Sequence, residues 1–179
     1  MKKKQPVAVE KAKRQGTVKN FYITGPAGKV LADTLPKIDM VSRLFAELYA
    51  EQKLNQQLYN EQRNLFYHYI ETIDEWVSTS AETLLRAGIL QNADPDFLKL
   101  YKHSIRKKKT MFFNTQTAIN AYYSFAKCET VSSLMLIGLR QDAIDSETYQ
   151  KAAVKIFSLI ENLNEEIEEM RAFLWECRR

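Results

Sequence analysis

The sequence is poor both in residues that interrupt a chain and in residues that carry most enzyme chemistry. Among 179 residues there are five glycines, four prolines, two cysteines and two histidines. So few breakers leave few turns, and long helices are expected over a many-stranded β fold. Cys128 and Cys177 stand far apart, with no Cys-x-x-Cys and no neighbouring histidine. That spacing suggests neither a zinc site nor a redox pair and leaves both as small hydrophobes. His68 and His103 each follow a leucine three positions earlier, Leu65 and Leu100, where a di-iron bundle would place a glutamate. No serine or cysteine sits in a glycine-rich elbow, so nucleophilic catalysis has no candidate. The chain is therefore read as a non-enzyme with no catalytic residues, no metal and no cofactor.

No apolar run approaches the roughly 18 residues of a membrane span, and Met1-Lys2-Lys3-Lys4 is not followed by a signal-peptide core. A cytoplasmic protein, or one held in a virion or nucleoprotein particle assembled there, is expected. The stretch Gly25-Pro26-Ala27-Gly28-Lys29 has only two residues between its glycines and is followed by Val30. A phosphate-binding loop needs four, and a Ser or Thr after the lysine.

What is present is helical periodicity. From Ser146 to Cys177 the residues Tyr149, Ala153, Ile156, Ile160, Leu163, Ile167, Met170, Leu174 and Cys177 recur at steps of four and three. That heptad seam needs a partner surface along its length, and the flanking Phe157, Leu159 and Phe173 widen it toward packing in a bundle. The spacing predicts helix from Pro36, with Ile38, Val41, Leu44, Phe45 and Leu48 on one face, continuing to about residue 78 as one helix or as two joined at a polar waist. A shorter helix follows from Thr79 to Ala87. Asp94-Pro95 opens another, whose apolar face carries Phe97, Tyr101, Ile105, Phe112, Ile119, Tyr123 and Ala126. Lys108 falls in the middle of that face and predicts a local irregularity at 107–110. Asp145 or Ser146 caps the last helix.

Ahead of these lies a different kind of chain. Val18, Phe21, Tyr22 and Ile23 are strand formers, followed by a Gly-Pro turn signal and then Val30-Leu31-Ala32, which predicts a small β-hairpin over 17–33. The fold class is thus mainly α: a multi-helix bundle of long antiparallel helices over 36–179, preceded by a basic N-terminal arm over 1–35 that includes the hairpin. No internal repeat is legible.

The net charge of +4 is modest but unevenly spread. Residues 1–36 carry Lys2, Lys3, Lys4, Lys11, Lys13, Arg14, Lys19 and Lys29 against Glu10 and Asp33, a balance of +6, which leaves −2 for the remainder. A second basic block, Lys99, Lys102, Arg106, Lys107, Lys108 and Lys109, precedes Phe112, Phe113, Tyr122 and Tyr123. Adjacent cations repel unless solvent or an anion intervenes, and lysines beside aromatics suit phosphates and stacked bases. The same aromatics also fit bundle core. The arm residues apart from Lys29, together with this block, are the candidate nucleic-acid-binding residues. With no zinc finger or RNP motif beside them, contact to backbone without sequence preference is expected. Other protein subunits, in a homo- or hetero-oligomer, are the second expected class of partner. In that alternative the chain is a structural assembly protein, for example of a phage or mobile element, whose arm docks on neighbouring subunits.

Overall fold

The computed structural model describes residues 16–90 and 107–179. Strand β1 (Thr17–Ile23) leads into helix α1 (Pro26–Ala50) and then α2 (Gln56–Arg86); strand β2 (Lys107–Phe113) leads into α3 (Gln116–Arg140) and then α4 (Ser146–Arg178). The described residues form a mainly helical four-helix bundle with a small antiparallel two-stranded β element, in keeping with the mainly α multi-helix bundle that composition and periodicity predict. The seam of the last helix is where it was expected: Ile156, Ile160, Leu163, Ile167 and Leu174 are buried, and Asp145 caps the helix by accepting from Thr148 N at 2.8 Å. Of the apolar flanks, Phe157 and Phe173 are more than a third exposed.

The partner of β1 is the main correction. The strand does not fold back on Val30-Leu31-Ala32; those residues are helical, because Pro26 opens α1 and Leu31, Ala32, Leu35 and Ile38 then share its buried face. Helix α1 consequently runs through position 35/36, where the arm was expected to end. Strand β1 pairs instead with β2, from Thr17 opposite Phe113 to Ile23 opposite Lys107. The stretch read as an irregular helix around Lys108 is that second strand. Its alternation buries Met111 and Phe113 and leaves Phe112 64% exposed, a period of two that a helical wheel cannot accommodate. The helix predicted over 79–87 is the unbroken end of α2, and the polar waist is a turn at 51–55.

The two halves of the chain are copies of one β-α-α unit. A shift of 90 positions carries β1 onto β2, the start and end of α1 onto those of α3, and the start of α2 onto that of α4. Even the turns correspond. Gln52 and Asp142 both adopt positive φ, at 60° and 53°, and Asn55 and Asp145 both cap the helix that follows. Asn20 is the equivalent of Thr110, and these two residues face each other across the ribbon. A pseudo-twofold axis therefore passes through that pair, where Thr110 Oγ1 donates to Asn20 Oδ1 at 2.9 Å. Contacts between the halves outweigh those within each: α1 packs on α3 and α4, and α3 on α2. Trp76 of α2 reaches α4, donating from its indole N–H to the Ala152 carbonyl at 2.9 Å.

Each half also caps a helix of the other. Asp39 in α1 accepts from Asn114 N, Thr115 N and Thr115 Oγ1, each at 2.9 Å, at the start of α3. Its equivalent in α3, Glu129, accepts from Thr24 N and Thr24 Oγ1 at 2.6 Å and from Gly25 N at 3.2 Å, at the start of α1. These donors have no intrahelical acceptor, and a carboxylate also complements the positive end of the helix. Burial pushes the Glu129 carboxyl above its ordinary range, against the hydrogen bonds from Thr24, Gly25 and Ser133, which hold it down.

The longer acid is matched by a smaller neighbour. A Cβ at Gly28 would lie 2.7 Å from Glu129 Cγ, whereas the equivalent of Gly28 is Ala118, in the half capped by the shorter Asp39. Gly28→Ala should therefore destabilise the protein by about 1 to 3 kcal/mol, as overpacking does. Adding Glu129→Asp, which recreates the Ala118–Asp39 pairing, should recover part of that loss, as residues in contact couple. Chemical denaturation of the two single variants and the double variant measures the coupling, and strict additivity would refute the match. Ile160→Asp places an unpaired charge in the seam at a cost of several kcal/mol, against a whole margin of roughly 5 to 15. Its thermal unfolding transition should be lost or shifted far down, while Glu169→Ala on the exposed side should melt like the parent.

Candidate nucleic-acid interface

Alternation along the ribbon sorts its side chains into two faces. Phe21, Met111 and Phe113 point into the bundle and are buried. Val18, Asn20 and Tyr22 of β1 alternate with them and stand beside Phe112, Thr110 and Lys108 of β2 on the outer face. The inner face rests on Tyr122 of α3, which meets Phe21 edge-on at 6.2 Å and donates its hydroxyl to the Asn20 carbonyl at 2.7 Å.

Four of the candidate basic residues come together on this ribbon: Lys19, Lys107, Lys108 and Lys109. Lys19 and Lys109 are equivalents, and their partners are equivalents too. Lys19 Nζ donates to Tyr123 Oη at 2.8 Å and lies 5.0 Å from that ring; Lys109 Nζ lies 3.3 Å from Asp33 Oδ1. The hydrogen bond to Tyr123 raises the Lys19 pKa, with desolvation opposing it, so Lys19 stays a cation at neutral pH. Lys107 and Lys108 are exposed at the end of the ribbon, opposite Ile23 and Tyr22. They replace Thr17 and Val18 of the first half, which concentrates positive charge at one end of an otherwise two-fold element.

The remaining candidates, Lys2, Lys3, Lys4, Lys11, Lys13, Arg14, Lys99, Lys102 and Arg106, lie outside the described residues.

The aromatics divide. Phe113 is buried and Tyr122 half-buried beneath the ribbon, whereas Tyr123 is exposed against Lys19 and Phe112 is exposed on the outer face, at the end away from Lys107 and Lys108. Of the residues that share the outer face, Asn20 and Thr110 were not singled out from the sequence, and Val18 and Tyr22 were read only as strand formers. The alternation of Thr17–Ile23 could have marked three of them, but Thr110 required knowing that 107–113 is a strand.

The described residues include His68 and both cysteines. They hold no cluster of three or more His, Cys, Asp or Glu. His68 is exposed on α2, and Cys128 is fully buried with its thiol pKa pushed up by desolvation. No described helix is long and apolar enough to cross a membrane. The fold and the ribbon thus define a helical protein built as a doubled β-α-α unit with a basic, aromatic-bearing ribbon shared between its halves. Comparison with family models, with curated proteins and with solved structures finds no match.

Proposed function

We propose that this chain is a non-enzymatic accessory subunit of a nucleoprotein assembly, and that it contacts nucleic-acid backbone along the two-stranded ribbon. The observation that carries this reading is the gathering of Lys19, Lys107, Lys108 and Lys109 on one ribbon, with Tyr123 exposed against Lys19 and Phe112 exposed on the outer face that Lys108 shares. A chain of −2 beyond its first 36 residues gains little solubility from adjacent lysines on a single strand. A polyanion gains from each of them, because every phosphate neutralised releases condensed counterions. The exposed rings of Tyr123 and Phe112 add stacking surface that every base can use.

A second reading, docking on other protein chains in an assembled particle, is favoured by a different observation. Val154, Phe157, Phe173 and Trp175 of α4 remain exposed, Val154 by 66% and Trp175 by 49%. The two readings concern different surfaces and separate by experiment.

Binding of fluorescent DNA and RNA, followed by anisotropy across a salt series, tests the proposal. The parent should bind both, with affinity falling steeply as salt rises. Replacing Lys107 and Lys108 together by glutamine should lower the slope of log affinity against log salt, by up to about 0.9 for each phosphate of duplex DNA that is no longer neutralised. The melting temperature should stay unchanged, because both side chains are exposed. Deleting residues 1–14 should lower the slope further. No binding to either nucleic acid at low salt, where backbone attraction is strongest, would refute the reading. Loss of self-association or of partner docking on removal of the arm, with no change in nucleic-acid affinity, would favour the second.

A further inference from the structure

A cleft of about 590 Å³ opens between α1, α2 and the first turn of α3. Its walls include Arg43, Arg63, Tyr59 and Tyr67, and Gln116 and Thr117 bring in the start of α3. Two further lining residues are polar and over nine-tenths buried, Ser42 and Gln62. Ser42 Oγ and Gln62 Nε2 have no hydrogen-bond partner among the described residues. Buried polar atoms are nearly always paired, and one left unpaired costs free energy. Both belong to residues that line the cleft but are themselves closed to solvent, so a side-chain rotation is what would bring them to a ligand that supplies the partner atoms.

The second half of the protein contains the same site as an internal control. Ser132 is the equivalent of Ser42, and Tyr149 of Tyr59, and both line a space of only 20 Å³ at the start of α1. There the counterparts of Arg43, Gln62, Arg63 and Tyr67 are Ser133, Ala152, Ala153 and Phe157. The fold therefore does not need cationic or amide side chains at these positions. In one copy small and apolar residues close the space; in the other a glutamine and two arginines accompany an open cleft.

The chemistry of the donors points to the ligand. Gln62 Nε2, the Ser42 hydroxyl and the guanidinium groups all donate, and so do the N–H groups of Gln116 and Thr117, which as the first residues of α3 have no intrahelical acceptor. Asp39 already occupies the preceding pair, Asn114 N and Thr115 N. Glu47, 3.6 Å from Arg43, offsets part of one positive charge. Arg63 lies 5.6 Å from the ring of Tyr67, an arrangement that holds its guanidinium at the wall. These donors exceed the roughly four acceptor positions of a carboxylate, and a phosphoryl group, with up to two negative charges shared over three terminal oxygens, accommodates them better. The volume left beyond one phosphoryl group, bounded by two tyrosines, suits a ring.

We infer that this cleft binds a small phosphate monoester of an aromatic or heterocyclic group, with its phosphoryl oxygens on Ser42, Gln62 and the arginines. The site lies apart from the outer face of the ribbon and does not depend on the nucleic-acid reading. Titration of the full chain with phenyl phosphate, followed by ¹H–¹⁵N NMR, tests it, with benzoate and phenol as comparison probes. Phenyl phosphate should give saturable shifts at the Gln62 side-chain amide and at Thr117, benzoate should bind more weakly, and phenol should give none. Arg63→Gln and Gln62→Leu should each weaken phenyl phosphate about tenfold or more, the loss expected for a charge-assisted or buried hydrogen bond. Gln62→Leu should melt no lower than the parent, since it removes an unpaired buried amide; a lower melting temperature would point instead to a structural role and count against the site. The inference is overturned if phenyl phosphate fails to saturate at millimolar concentration, or if Gln62→Leu binds it as the parent does. Equal affinity for benzoate would overturn the phosphoryl assignment, and an effect of Arg63→Gln on DNA binding without any on phenyl phosphate would assign the cleft to polynucleotide.

Discussion

Two buried carboxylates tie each half of this protein to a helix end in the other. Asp39 holds the start of α3 and Glu129 holds the start of α1, each satisfying backbone N–H groups that no helix can satisfy for itself. Because both acids lie in the bundle, the helix ends they cap, and the strands leading into those ends, must sit against the bundle too. The ribbon pairs across the pseudo-twofold axis for the same reason: β1 and β2 are delivered to one place by the caps, and Phe21, Met111 and Phe113 then bury beneath it. Sheet, caps and helix packing are one interlocked arrangement, in which neither half presents a complete core of its own.

Duplication makes departures from symmetry informative. Where the halves match, as at the turns after Gln52 and Asp142 or the caps at Asn55 and Asp145, the shared geometry belongs to the fold. Where they compensate, as with Gly28 beside Glu129 and Ala118 beside Asp39, steric fit accounts for the difference. Two places depart without such compensation. Lys107 and Lys108 make one end of the ribbon basic, and Arg43, Gln62 and Arg63 line a cleft that is nearly closed in the other half. Neither set has such a steric counterpart in the other half, and the two proposals made above rest on them.

On the ribbon, the function proposed above is electrostatic: phosphate contacts fix position without reading sequence. Lys19 and Lys109 are partly engaged within the protein, by Tyr123 and Asp33, which pins their stems to the ribbon's edges. Lys107 and Lys108 stand out into solvent.

Local periodicity carried much of the architecture. The seam from Tyr149 to Cys177, the cap at Asp145 and the strand character of Val18 to Ile23 all depend on residues near one another in sequence, where spacing alone fixes which side chains share a face. The composition excluded a many-stranded fold, and the basic blocks identified Lys19 and Lys107 to Lys109 as candidates. The tertiary structure decided which segments meet. Strand β2 looked like a flaw in a helix because its partner lies 90 positions away, and a lone seven-residue segment with three lysines has no local reason to be extended. The repeat was hidden because the equivalent positions keep burial while changing identity, Phe21 against Met111 and Ile38 against Cys128. Asp39, Glu129, Ser42 and Gln62 read as ordinary polar residues on amphipathic helices; only packing across the axis shows the first two to be caps and the last two to be buried without partners, because hydrogen bonding between distant segments leaves no periodic trace in the chain.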